Sequence, residues 1–198
     1  RYDYNPIEHI KSRLKSAESI VMKLKKDGYE VTIENMMECL SDIAGIRIIC
    51  SFTSDIYQIA GMIAAQGDVT VLHVKDYIKN PKPNGYKSYH MVVTVPVYLT
   101  DGPVETKVEI QIRTIAQDFW ASLEHKIYYK FEGSGPDSLQ AELKACADMV
   151  DMLDMKMFSL NQAIMAVEEE ERRVEEEKRR EREKAEKRQE ELAGNGPT

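Results

Sequence analysis

Val104-Glu105-Thr106-Lys107-Val108-Glu109-Ile110-Gln111-Ile112-Arg113-Thr114 decides the fold. Apolar residues at 108, 110 and 112 alternate with polar ones at 109, 111 and 113, the period of two of a strand with one face in a core. Ser88 to Leu99, just upstream, is a second long β-rich run, and Thr100-Asp101-Gly102-Pro103 between them reads as a hairpin turn. The row Glu109, Gln111, Arg113 then lies on the other face of an antiparallel pair. It is either a solvated surface or part of a site.

Outward from the hairpin, Ile46 to Phe52 is rich in β-branched residues and reads as a buried strand, while Val69 to Val74 alternates as another. Ser54-Asp55 opens a helix with Ile56, Ile59, Ala60 and Ile63 on one face, ending near Gly67, and Ile115 to Tyr129 is a helix after the hairpin. Nearer the start, Ser16 can cap a helix from Ala17 to about Lys26, stopped by Asp27-Gly28, and Thr32 can cap a short one through Leu40. Ile7 to Lys15 fits two patterns. Its apolar spacing suits a long amphipathic helix, yet as a strand it sets Ile10, Ser12 and Leu14 against His9, Lys11, Arg13 and Lys15. Lys79 to Tyr86, with Pro81, Pro83, Asn84 and Gly85, is a loop. Helices and strands so interleaved predict an α+β fold, a mixed sheet with helices packed against it.

The chain has 198 residues, 42% of them hydrophobic, enough for one core and an appendage. Its formal charge is −7, but the stretch from Glu168 carries 12 Glu against 9 Lys+Arg, which leaves 22 acidic and 18 basic residues before it. A mildly acidic body argues against coating duplex DNA or an anionic membrane. No run is long and apolar enough for a membrane helix and no signal segment is evident, so a cytoplasmic protein is expected. Cys39, Cys50 and Cys146 are odd in number and widely spaced, which suits reduced thiols. A first residue other than Met suggests a preceding segment. Three stretches are expected: a domain over 1–135, a packing or oligomer-forming helix over 136–167 after the Gly133, Gly135, Pro136 break, and a charged solvated helix with a frayed, disordered end over 168–198. In the last, pairs such as Glu175 with Arg179 support an isolated helix without a coiled-coil seam.

Several residues could carry chemistry. Asp42-Ile43-Ala44-Gly45-Ile46-Arg47 sets an aspartate ahead of a buried strand, a glycine that admits close approach, and an arginine that needs a partner. Asp42 and Glu109 could share Mg²⁺, which favours a few oxygen ligands plus phosphate. Arg13, Lys15, Ser19, Lys23 and Lys26 bracket a helix start, an arrangement that suits polyphosphate as readily as it suits an ordinary basic face. Tyr86, between Gly85 and Lys87 and near Lys82, could stack a base. His90 and Trp120 carry little alone; Trp120 with Phe119 and Leu123 reads as a core anchor.

Together these blocks resemble the (p)ppGpp synthetase family, most closely its single-domain small alarmone synthetases. The resemblance rests on Arg13-Leu14-Lys15 with Ser19-Ile20 and Lys23, on Asp42 to Arg47, on Asn84-Gly85-Tyr86-Lys87-Ser88-Tyr89-His90, on Val108 to Thr114, and on Phe119-Trp120-Ala121-Ser122-Leu123-Glu124-His125. It implies a nucleotidyltransferase-like sheet of about five strands. It also implies transfer of pyrophosphate from ATP to the 3′-hydroxyl of GDP or GTP. By that resemblance Asp42 and Glu109 hold Mg²⁺, and Arg13, Lys15, Ser19, Lys23, Lys26 and Arg47 line the ATP side. Tyr86 stacks the guanine, Lys75, Lys82, Lys87 and His90 serve acceptor phosphate or ribose, Gln111 sits by the attacking hydroxyl, and Asp118 and Glu124 lie on the acceptor side. The family further implies a homo-oligomer, a tetramer by analogy, open to regulation by (p)ppGpp or single-stranded RNA. The hydrolase half of long relatives has no counterpart, so degradation of (p)ppGpp is not expected. Two other readings stay open: the same chemistry on an adenine nucleotide or a tRNA 3′ end, and a binding protein without turnover.

Overall fold

The computed structural model describes residues 5–130 and 137–194. The order of elements is β1 (Ile7–Leu14), α1 (Ala17–Lys26), α2 (Ile33–Cys39), β2 (Ala44–Cys50), α3 (Thr53–Ala64), β3 (Thr70–Asp76), β4 (Tyr89–Leu99), β5 (Gly102–Thr114), α4 (Ile115–Lys130) and α5 (Asp137–Gly194). The strands form one mixed sheet in the order β1-β2-β5-β4-β3, as expected from the sequence. Only β2 and β5 run parallel.

Register explains how the faces divide. Arg13 pairs with Gly45 and Gly45 with Glu109, while Arg47 and His90 both pair with Gln111, so these residues share one face. The intervening residues, Ile48, Cys50, Met91, Val93, Ile110 and Ile112, face the other way and pack with Ile56, Ile59 and Ala60 of α3 in the core. Asp118 of α4 pairs with Arg47 and Arg113, which places that helix over the polar face.

Local signals set the helix starts. Ser16 and Thr32 accept hydrogen bonds from the backbone N–H of Ser19 and Asn35, the expected N-caps. At α3 the Asp55 carboxylate accepts from the Phe52 N–H, so the reach is backward from inside the first turn. The ambiguous N-terminal run is a strand, because antiparallel pairing with β2 satisfies its backbone and aligns Arg13 over Gly45. The third strand runs from Thr70 to Asp76 where Val69 to Val74 was expected, since pairing with β4 continues to Tyr89.

The body extends further than expected. One compact unit runs through Asp154, and 155–198 forms another. The first turns of α5 belong to the body: Leu143 O accepts the Trp120 indole N–H at 3.0 Å, Asp151 pairs with Lys87 at 2.5 Å, and Asp154 accepts from the Thr114 hydroxyl at 2.8 Å. The second unit is helical through Gly194, with exposed pairs such as Arg180 with Glu176. The Gly133–Pro136 break and residues 195–198 lie outside the described residues.

Candidate active site

The polar face of the sheet carries two clefts. One, of about 230 Å³, is lined by Lys11, Arg13, Gly45, Arg47, Glu109 and Gln111. The other, of about 460 Å³, includes Arg13, Arg47, Tyr86, Gln111, Arg113 and Glu124. Arg13, Arg47 and Gln111 border both. Gly45 lines the first cleft beneath Arg13: a Cβ there would stand at ordinary contact, 3.4 Å, from Cγ and Nε of that side chain, which lies across the glycine.

On the β1–α1 side, Asp42 accepts from Lys15 Nζ at 2.5 Å and from Lys23 Nζ at 2.8 Å. Burial pushes its carboxyl up, but hydrogen bonds and charge from the two lysines outweigh that and hold it below the usual range. Glu109 has His90 Nδ1 3.3 Å from its Oε1 and accepts at Oε2 from Gln111 Nε2 at 3.0 Å. The His90 hydrogen bond leads in lowering its pKa, against burial and the negative charge of Asp42. The two carboxylates thus feel one another, although only Glu109 lines the first cleft. Among the described residues no three or more His, Cys, Asp or Glu cluster to hold a metal alone. Glu109 on the cleft wall, with the anionic Asp42 nearby, fits a hard divalent cation that takes its remaining oxygens from phosphate and water once the lysines release Asp42.

Arg47 pairs with Asp118 at 3.3 Å, and its Nε is a buried donor with no hydrogen-bond partner among the described residues. Burial and the adjacent Arg113 charge lower its pKa, with Asp118 opposing. A partnerless buried donor beside an open cleft has anion-binding capacity to spare.

Around the second cleft the expected residues are arranged unevenly. Tyr86 has Lys82 Nζ at 4.7 Å and Arg113 Cζ at 5.0 Å from its ring centre, with Tyr77 edge-on at 5.9 Å. Its hydroxyl lies 2.8 Å from His90 Nε2. Glu124 accepts from Asn84 at 3.2 Å, which ties α4 to the Tyr86 loop. Lys87 points elsewhere, to Asp151 of α5, because the loop turns at Gly85 against Ala147. It does not line the acceptor-side cleft. Lys75 and Lys26 are exposed and border neither cleft, and Ser19 lies at the start of α1, its Oγ 3.0 Å from that of Ser16.

Arg113 escaped assignment from sequence, although the period of two already set it beside Glu109 and Gln111. It is 4% exposed and meets four partners: Ser88, Asp118, Tyr86 and Gln111. Lys11, also unassigned, projects into the first cleft from the same face as Arg13.

Known proteins share this arrangement. Residues 12–134 match the family described as the region found in RelA and SpoT proteins. The chain is 52% identical over 163 residues to the GTP pyrophosphokinase YwaC of Bacillus subtilis, spanning 82% of this chain and 78% of that protein. The crystal structure of small alarmone synthetase 2 from B. subtilis superposes with a TM-score of 0.73 at 51% identity, covering 81% of this chain and 83% of that one. Small alarmone synthetase 1 from the same organism, bound to its product pppGpp, gives 0.76 at 36% identity, with 81% of each chain covered. No described helix is long and apolar enough to cross a membrane. The chain belongs to the RelA/SpoT family.

Proposed function

We propose that this protein is a GTP pyrophosphokinase that transfers pyrophosphate from ATP to the 3′-hydroxyl of GDP or GTP, giving ppGpp or pppGpp and AMP. The observation that carries the proposal is the pair of clefts meeting at Arg13, Arg47 and Gln111. Such a junction suits two nucleotides held end to end. The names of YwaC and of the product-bound synthetase support the choice of acceptor.

In this reading the first cleft takes ATP. Arg13, Lys15, Lys23 and Arg47 supply fixed positive charge for its phosphates, with Ser19 at the helix start and Lys26 further along α1. Asp42 and Glu109 would hold Mg²⁺, which when bound neutralises phosphate charge and polarises the phosphoryl group under attack. Tyr86 stacks guanine in the second cleft, Lys82 swings from its ring to phosphate, and Gln111 orients the 3′-hydroxyl. That oxygen bonds to the β-phosphorus as the bond from that phosphorus to the α–β bridging oxygen breaks, its proton passes to solvent, and AMP leaves. Glu109, held anionic, suits a cation ligand better than a base. His90, Asp118 and Glu124 shape the acceptor side.

Family analogy adds a homotetramer, supported by exposed Met155, Met157, Leu160 and Ile164 in the second unit, and a cytoplasmic setting, supported by the free thiols. Product or single-stranded RNA as regulator belongs to the same proposal. The test is incubation with Mg²⁺, labelled ATP and, separately, GDP, GTP, ADP and deacylated tRNA, with Glu109→Gln alongside. Label in guanosine tetra- or pentaphosphate, lost in the variant, is expected. Label only in tRNA or an adenine nucleotide would refute the acceptor.

A further inference from the structure

Two chains of polar contacts leave a single nitrogen. Arg113 Nη2 donates to the Tyr86 hydroxyl at 2.6 Å and to Gln111 Oε1 at 3.1 Å. Along the first chain the Tyr86 hydroxyl lies 2.8 Å from His90 Nε2, and the other ring nitrogen, Nδ1, stands 3.3 Å from Glu109 Oε1. Along the second, Gln111 Nε2 donates to Glu109 Oε2 at 3.0 Å. Both routes lead from Arg113 to the one carboxylate, and polar groups linked in this way reinforce one another.

The nitrogen that starts the ring is itself fixed. Arg113 Nη1 donates to Asp118 at 3.1 Å and Nε to Ser88 at 3.3 Å. Four of the five guanidinium hydrogens are thereby engaged, to the loop carrying Tyr86 and Ser88, to α4 and to its own strand. A lysine cannot hold that fork.

We propose that Arg113 is a positioning residue, which through Tyr86 and Gln111 together fixes where the acceptor base and hydroxyl stand relative to Glu109. The inference rests on the acceptor assignment made above. In this role Arg113 acts through the tyrosine hydroxyl and the glutamine amide.

The experiment is a kinetic cycle of Tyr86→Phe, Arg113→Lys and the double variant, with KM for GDP and for ATP, kcat, and the thermal midpoint of each. Tyr86→Phe keeps the ring and removes only the hydroxyl that joins the chain, so the acceptor KM is expected to rise roughly 3- to 10-fold, the worth of one hydrogen bond. The KM for ATP stays within about 2-fold. Arg113→Lys lowers kcat as well, because Gln111 is released at the same time. In the double variant the acceptor KM matches that of Arg113→Lys within about 2-fold, since the second change removes a link already broken. Multiplicative effects, or an ATP KM that rises as much as that of the acceptor, would overturn the inference. So would an unchanged acceptor KM in Tyr86→Phe, which decides the matter even if Arg113→Lys does not fold. No transfer to guanosine nucleotides by the unsubstituted protein would overturn the proposed activity and this inference with it.

Discussion

Replacing Gly85 with alanine tests how tightly the Tyr86 loop is seated on α5. Gly85 has a φ of +87°, and a Cβ there would stand 2.4 Å from Cβ of Ala147 and 3.1 Å from Cδ of Lys144. Carbon atoms rest ~3.5–4.0 Å apart, so loop and helix must part by roughly 1 Å. The left-handed backbone costs an alanine about 1–2 kcal/mol, and overpacking adds about 1–3 kcal/mol. For a body of this size each kcal/mol lowers Tm by about 2–4 °C, so a fall of roughly 5–15 °C is expected. Tyr86 is the next residue and moves with the loop. A misplacement near 1 Å costs about 100-fold at most, so kcat/KM for GDP should fall roughly 10- to 100-fold. Adding Ala147→Gly removes the facing methyl, at about 1 kcal/mol of helix stability, and should restore most of kcat/KM while Tm stays low. Steady-state kinetics and calorimetry on the three variants read this out. An unchanged Gly85→Ala variant, or a double variant no more active than Gly85→Ala alone, would refute the reasoning.

Other consequences concern charge. Burial raises the Asp154 carboxyl above its ordinary value, against the hydrogen bond from Thr114. The folded state therefore holds that proton more tightly than the unfolded chain, and stability falls as pH rises through the window above 3.8. Asp154→Asn keeps an acceptor for Thr114, and its Tm relative to the unsubstituted protein should be higher near pH ~7 than near pH ~4; an equal difference at both would contradict this. Lys87→Met strands a partly buried Asp151 and should cost about 1–3 kcal/mol, most of it recovered by adding Asp151→Asn, as denaturant titration would show. Trp120→Phe loses the hydrogen bond to Leu143 O and should lower stability by about 1 kcal/mol with little effect on KM for ATP.

Particular residues show how far the sequence could be read. The alternation Val108, Ile110, Ile112 against Glu109, Gln111, Arg113 identified the polar sheet face, because strand geometry is local. Ile7 to Leu14 satisfied helix and strand periods alike; its choice depends on pairing with β2, which lies some distance along the chain. Lys87 sits in a family motif, yet its partner Asp151 comes from a helix whose docking no local pattern announces. The same helix concealed the edge of the body, since composition does not shift at Asp154. Arg113 was legible as a member of the row and illegible as its hub, for its partners arrive from the loop carrying Tyr86 and Ser88 and from α4.

Phosphorus NMR of the reaction with Mg²⁺, ATP and GDP tests the central claim most directly. The account predicts AMP and a guanosine nucleotide with a diphosphate on its 3′-oxygen, formed in equal amounts. Release of ADP with a single phosphoryl group on the acceptor, or of inorganic pyrophosphate with the acceptor unchanged, would contradict it.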